Sequence, residues 1–252
     1  MQVNHATIAT PGRANEDYLA TGPDWALVLD GATQPSGVDS GCAHDVPWLV
    51  RRLGGELALR LAVSGGTAAD VLADAIQATC AAHADTCDLQ NPSSPSATAA
   101  LLRLRGDDLE YLVLADSPIV LDVAGETRPI IDDRLEHLPS YTVEAVRDQR
   151  NRPGGFWVAS TKPEAAHEAV HGVVPAADVG RAVLLTDGAS RYVERFGLGD
   201  WSDLLDLVEH TGPAELLRRV RAAEAAETPD ERRRHRGKPQ DDATAVFLRF
   251  SA

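Results

Sequence analysis

The chain is short of sulfur and of positive charge, and each shortage removes a class of protein. Its three cysteines, Cys42, Cys80 and Cys87, share no C-x-x-C spacing, so the sequence indicates neither a zinc site nor a disulfide framework. Free thiols suit a reducing cytoplasm. Only 24 Lys and Arg residues stand against 38 Asp and Glu, and the net charge of −14 argues against nucleic acid or an anionic membrane as partner. No stretch approaches 18 uninterrupted apolar residues, and the opening Met1-Gln2-Val3-Asn4-His5 lacks a basic segment followed by an apolar one. A cytoplasmic protein is expected. Nothing in the composition marks a linker, so residues 1–252 read as a single domain, large enough to bury about 70% of its unfolded surface.

What the chain does have is acid at strand ends. Asp30-Gly31 closes the apolar run from Trp25, and 157 residues later Asp187-Gly188 closes a second run from Ala182. Two strands ending this way aim carboxylates at one point, while each Gly lets backbone come close. Asn15-Glu16-Asp17 before the first of these strands and Asp241-Asp242 before the last run fit the same scheme. Asp before Gly is ordinary turn chemistry when it stands alone. Four such placements together point to a hard-cation site assembled by folding.

The periodicities predict strands over residues 3–9, Trp25–Asp30, 97–104, 109–123, 126–131, 156–160, 181–186 and 243–250. Helices are expected over Val46–Val63, over 68–83 behind the cap Thr67, and over 163–170, 201–210 and 214–227. Residues 97–104 and 109–123 read as a hairpin, and 132–163 as an irregular, variable flap. This order predicts an α+β layered domain of antiparallel sheets with helices on their outer faces.

Carboxylate and carbonyl oxygens, with no His or Cys at matching positions, suit Mn2+ or Mg2+ better than zinc. At this point the residues resemble the metal-dependent protein serine/threonine phosphatases of type 2C, the PPM family. Arg13-Ala14-Asn15-Glu16-Asp17 resembles its R-x-x-N-E-D opening, Leu27-Val28-Leu29-Asp30-Gly31 its V-x-D-G strand end, and Leu184-Leu185-Thr186-Asp187-Gly188 its L-x-S-D-G. Ser96-Ala97-Thr98-Ala99 with Leu114-Ala115-Asp116-Ser117 resembles the G-T-T-A and V-G-D-S-R hairpin, and Asp241-Asp242-Ala243-Thr244 the closing D-N-x-T.

The resemblance implies a four-layer α-β-β-α sandwich with a binuclear Mn2+ or Mg2+ site at one end. Asp30 would bridge the ions, the Gly31 carbonyl would complete one shell, and Asp187 and Asp241 would hold the other ion. Asp17 and Glu16 would bind directly or through water, Asp116 would offer a third-ion position, and Arg13 would grip the substrate phosphate. The implied chemistry is attack of a metal-bound water on a phosphomonoester, with Asp30, Asp187 and Asp241 carrying it. Phosphoproteins are the substrates the family implies; a small phosphorylated metabolite is the alternative. A non-catalytic module of the same fold is a third reading, which the retained ligands count against. A monomer is expected.

Three departures stand beside the matches. Residues 32–41 replace the Gly pair that usually opens a helix, Pro118 replaces the hairpin Arg, and Asp242 replaces the closing Asn, adding negative charge beside a ligand. Among secondary features, His44 reads as a capping or solvent-facing residue at a helix start, with a general acid for the leaving alkoxide as the alternative. Trp48 and Trp157 read as core. The basic run 232–238 reads equally as phosphate capture, as a dock for an acidic partner or as a solvated loop.

Overall fold

The computed structural model describes residues 1–63, 65–234 and 238–250. Ten strands form two antiparallel five-stranded sheets. The first takes β1 (Gln2–Ile8), β10 (Ala243–Arg249), β9 (Val179–Leu185), β6 (Ile119–Val123) and β7 (Glu126–Ile130), in that order. The second takes β2 (Asp17–Thr21), β3 (Trp25–Asp30), β4 (Ala99–Arg105), β5 (Asp108–Leu114) and β8 (Val170–Pro175).

The strands β3, β4, β5, β6, β9 and β10 are buried on both faces, which explains their nearly continuous apolar runs. In β3 the side chains of Trp25, Leu27 and Leu29 join one core with the helices α1 (Val46–Val63) and α2 (Ala68–Ala81). The alternate residues Ala26 and Val28 face the other sheet, meeting Ile119, Leu121, Leu184, Val246 and Leu248 between the layers. On the far side Val183, Leu185, Ala245 and Phe247 pack under α4 (Asp187–Glu194), α5 (Trp201–Thr211) and α6 (Pro213–Ala226). This is the expected four-layer α-β-β-α sandwich.

Local chemistry sets the helix ends. Thr67 and Asp70 form a capping box on α2, and Asp200 and Asp203 do the same on α5. α1 keeps its apolar residues at helical spacing, but Trp48 is only half-buried and stacks on His44 instead of joining the core. Trp157 is core, as expected.

The structure corrects five element assignments. Residues 109–123 are not one strand: β5 and β6 belong to different sheets, and the chain crosses between them at Ala115, whose φ is +63°. The unbroken apolar run hides this, because both strands are buried on two faces. β2 and β8 are additional short strands that the periodicities do not predict, β8 beginning at Val170 where a helix was expected to end. Residues 156–160 make only isolated bridges, Ala159 to Ala97 and Phe156 to Arg150. The segment 132–163 contains a further helix, α3 (Val143–Gln149), capped by the Thr142 hydroxyl. Its Leu135, Leu138 and Val146 pack with Ala115, Phe156 and Val158 in a small separate cluster. A last short helix, α7 (Pro229–Arg234), precedes β10.

Candidate active site

Strand register brings the acids together. Asp17 opens β2 directly opposite Asp30, the last residue of β3. Asp187 follows β9 as the first residue of α4, and Asp241 stands just ahead of the neighbouring β10. Asp116 lies in the crossing from β5 to β6. Both sheets therefore deliver carboxylates to one end of the sandwich, where Asp30, Gly31, Asp116, Asp187 and Asp241 line a cleft of about 890 Å³.

The two glycines of the echo are there for close approach. A Cβ at Gly31 would stand 2.7 Å from the Glu16 carbonyl oxygen and run into Val46. At Gly188 a Cβ would overlap the Asp242 carbonyl. Each Asp-Gly is thus a packing requirement as well as a turn, and together they seat the cluster.

The threonines beside the acids orient them. Asp17 Oδ2 accepts from the Thr244 hydroxyl at 2.6 Å and the Thr186 hydroxyl at 3.1 Å. Asp30 Oδ2 accepts from the Asp187 N–H at 3.3 Å, and the Asp30 N–H donates to Thr98 Oγ1, which is 2.5 Å from Ser117 Oγ. Asp132 is buried and holds the crossing, accepting from the Ala115 N–H and the Arg134 guanidinium. A non-glycine residue at positive φ beside Asp116 is a strained position, and Asp132 is what fixes it.

The cluster is electrostatically unbalanced. Burial, then repulsion from Asp242 and Asp187, pushes Asp17 up to about 8 against the two hydroxyl bonds. Asp30 is held well above the ordinary carboxylate range by burial and then by Asp187, Asp17, Asp241 and Asp116. Asp116 is pushed up to about 7 by burial and Asp187, and Asp187 is raised by burial and Asp241 despite Arg191. Glu16 is raised by burial, opposed by Thr33 and Lys238.

Two buried oxygens, Asp17 Oδ1 and Asp187 Oδ1, have no hydrogen-bond partner. Orphaned anionic oxygens in a desolvated cluster are what a divalent cation satisfies, so the residues fit the hard-cation site. Asp241 differs. Its Oδ2 accepts from Arg191 at 3.1 Å and its Oδ1 from Lys238 Nζ at 2.8 Å, while Lys238 also donates to Thr33 Oγ1 and Thr33 to Glu16.

Other expected residues fall elsewhere. Arg13 is exposed and does not line the cleft. Asp242 accepts from the N–H groups of Thr10 at 2.5 Å and Glu16 at 2.6 Å, so it holds the β1–β2 connection and also repels Asp17. In the basic run, Arg232 pairs with Glu227 and Arg233 with Asp230. The Arg234 side chain and residues 235–237 lie outside the described residues. Of the flap arginines only Arg150 lines the cleft; it donates to the Ser94 carbonyl at 3.1 Å.

The cysteine reading needs correction. Cys42 and Cys87 are joined as a disulfide, and His44 and His83 converge on the same pair. His44 therefore neither caps a helix nor faces solvent freely. Two short spacings, C-x-H and H-x-x-x-C, lie 39 residues apart and meet only because α1 and α2 pack as an antiparallel pair.

A sandwich of two antiparallel sheets between helix layers, with acids from both sheets at one end, defines a class of metal-dependent hydrolase. The family profile named Protein phosphatase 2C matches residues 8–228. The chain belongs to that family. Asp17, Asp30, Asp116 and Asp187 fall inside the matched span and Asp241 beyond it. No curated protein sequence matches. Among solved structures, the chain is similar to the serine/threonine phosphatase PstP/Ppp of Mycobacterium tuberculosis, at 19% identity and TM-score 0.59, covering 98% of this chain and 97% of that one. It is also similar to the phosphatase Stp1 of Staphylococcus aureus, at 13% identity and TM-score 0.63 over 100% and 95% of the two chains. The PstP catalytic domain in complex with two manganese ions matches at 18% identity and TM-score 0.58, over 98% and 96%.

Proposed function

We propose that this member of the protein phosphatase 2C family removes phosphate from phosphoserine and phosphothreonine of proteins, using two divalent ions, Mn2+ or Mg2+. The observation that carries the reading is the convergence of buried carboxylates, two of them with unpartnered oxygens, on one cleft. Asp30, Asp187 and Asp241 with the Gly31 carbonyl would hold the pair of ions, with Asp17 and Glu16 beside them and Asp116 at a third position. Two manganese ions in the PstP catalytic domain support that count. Bound ions would supply positive charge to the phosphoryl oxygens and acidify the attacking water.

The chain's own residues do the rest. Thr186 and Thr244 set the Asp17 carboxylate, and Arg191 sets Asp241 from its buried position against Glu224, 2.7 Å away. Lys238, paired with Asp241 at the cleft wall, would be placed to meet a phosphate oxygen there. Arg13 would swing from its exposed turn to grip the phosphate, where a planar guanidinium makes paired bonds. A smaller groove of about 150 Å³ adjoins the cleft between Gln34, Pro35 and Val38 on one side and Tyr141, Val143 and Val146 on the other. It would take an apolar side chain flanking the phosphoresidue, which favours a protein substrate over a metabolite.

No helix of the described residues is long and apolar enough to cross a membrane. We place the protein in the cytoplasm as a monomer. The test compares a phosphopeptide with an aryl phosphate, with and without Mn2+, in the wild type and in Asp30→Asn and Asp187→Asn. Both variants should lose at least a hundredfold in kcat while remaining folded. Full turnover by either at saturating Mn2+, or by the wild type after exhaustive chelation, would sink the assignment.

A further inference from the structure

Cys42, His44, His83 and Cys87 bring their ligand atoms within 4.8 Å of one another, the one such group of His, Cys, Asp and Glu marked among the described residues. The disulfide accounts for only two of the four side chains. His44 Nδ1 lies 3.5 Å from Cys87 Sγ and 4.0 Å from Cys42 Sγ, and His83 Nδ1 lies 3.4 Å from Cys42 Sγ. In a tetrahedral zinc site with Zn–S near 2.3 Å and Zn–N near 2.05 Å, neighbouring sulfur and nitrogen ligands stand roughly 3.5 Å apart. The three sulfur-to-nitrogen distances bracket that value.

His83 is the telling residue. It is buried, its Nδ1 faces Cys42 Sγ, and its Nε2 has no partner among the described residues. A disulfide sulfur is a weak partner for Nδ1, whereas a metal ion held at Nδ1 would compensate that nitrogen directly.

The surroundings fit thiolate chemistry. The Ala43 N–H donates to Cys87 Sγ at 3.3 Å, the kind of outer bond that stabilises sulfur carrying negative charge. The rings of His44 and His83 pack on Trp48 at 3.9 and 5.2 Å, which limits their rotation. Soft sulfur with imidazole selects zinc, whereas the all-oxygen cleft selects a hard cation, so the two sites would not compete for one metal.

We propose that Cys42, His44, His83 and Cys87 form a tetrahedral zinc site that clamps the loop of residues 32–45 to the turn after α2. Reduction of the Cys42–Cys87 disulfide by an external dithiol, which is itself oxidised to its disulfide, gives the two thiolates that hold zinc; the disulfide is the oxidised, metal-free form. The clamp sits between two segments that border the cleft. One runs back to Thr33 and the other forward to Ser96 and Thr98, and beside it the Asp88 N–H donates to the Gly41 carbonyl at 2.7 Å. Its role is to fix the outer wall of the cleft, in place of the helix-opening turn that residues 32–41 have displaced.

The experiment uses the whole chain, purified with a thiol reductant and without chelator. Elemental analysis should find one zinc per chain, retained in Asp30→Asn and released when the thiols are blocked with an organomercurial. Cobalt substituted for zinc should show the visible bands of tetrahedral coordination together with near-ultraviolet thiolate charge transfer. Both signals should vanish in Cys87→Ser and weaken in His83→Ala. If Cys87→Ser does not fold, the wild-type cobalt spectrum decides, because thiolate charge transfer cannot arise from the oxygen-lined cleft. A reduced protein that takes up no zinc, or cobalt uptake without thiolate charge transfer, overturns the proposal. So does a Cys42–Cys87 pair from the reductant-purified protein that still resists alkylation after unfolding in excess chelator, because it is then a disulfide and not a pair of zinc thiolates. These readouts do not involve phosphate hydrolysis, so they stand or fall separately from the proposed activity.

Discussion

The unbalanced acids make the metal-free protein weaker than its fold requires, and Asp17→Asn should relieve it. Asp17 rises from 3.8 to about 8 in the folded protein, so the folded state holds the proton more tightly than the unfolded chain does. The stability this contributes is fully present below pH 3.8 and is lost as pH rises through about 8. The shift is about four units, and at about 1.36 kcal/mol per unit it bounds the cost at roughly 5–6 kcal/mol. Shared protons among coupled acids and relaxation of an open cleft reduce this to about 1–2 kcal/mol. For a domain of this size that is a rise in melting temperature of about 2–8 °C. Asn keeps an oxygen for the Thr186 and Thr244 hydroxyls, so the hydrogen bonds survive. The assay is thermal melting in chelator from pH 4.5 to 8.5, for wild type and variant side by side. The variant should melt higher at pH 8, the gap should close towards pH 4.5, and added Mn2+ should reverse the order. A gap that is absent at pH 8, or that does not change with pH, would refute the charge argument.

Three further outcomes follow from the geometry. Arg13→Ala should raise KM for a phosphopeptide with little change in kcat, by an amount equivalent to about 1.5–3 kcal/mol; unchanged kinetics would leave Arg13 a surface residue. Lys238→Ala removes a cation from Asp241 and should lower the Mn2+ concentration for half-maximal activity several-fold, since a partly exposed pair is worth about 1 kcal/mol or less. A higher requirement in a metal titration would show that Lys238 helps to assemble the site instead. Gly188→Ala should lower thermal stability by about 1–3 kcal/mol or more through collision with the Asp242 carbonyl, with activity lost alongside; wild-type melting would contradict the packing.

The layered fold was legible because buried strands and amphipathic helices carry strong, separate periods, and Trp25–Asp30 and Val46–Val63 match residue for residue. What escaped was the crossing at Ala115. A strand buried on two faces shows no alternation, so one apolar run concealed two strands in different sheets. The Asp-Gly echo was readable because each glycine answers a local steric demand. Asp132 and Arg191 carried no such mark, since their roles depend on contacts set only by the tertiary fold. The Cys/His cluster was missed for the same reason: its two halves meet through helix packing, and neither spacing is a recognised ligand motif alone.

The opening and closing strands lie side by side, with Gln2 opposite Arg249 and Ile8 opposite Ala243. Asp17 in turn rests on Thr244, a residue of β10. During synthesis, therefore, no part of the chain can assemble the acid cluster on its own: Asp30 and Asp116 wait for β10 to leave the ribosome. Competence arrives only once β10 has been made, and a chain cut before Ala243 would be inert however well its second sheet had formed.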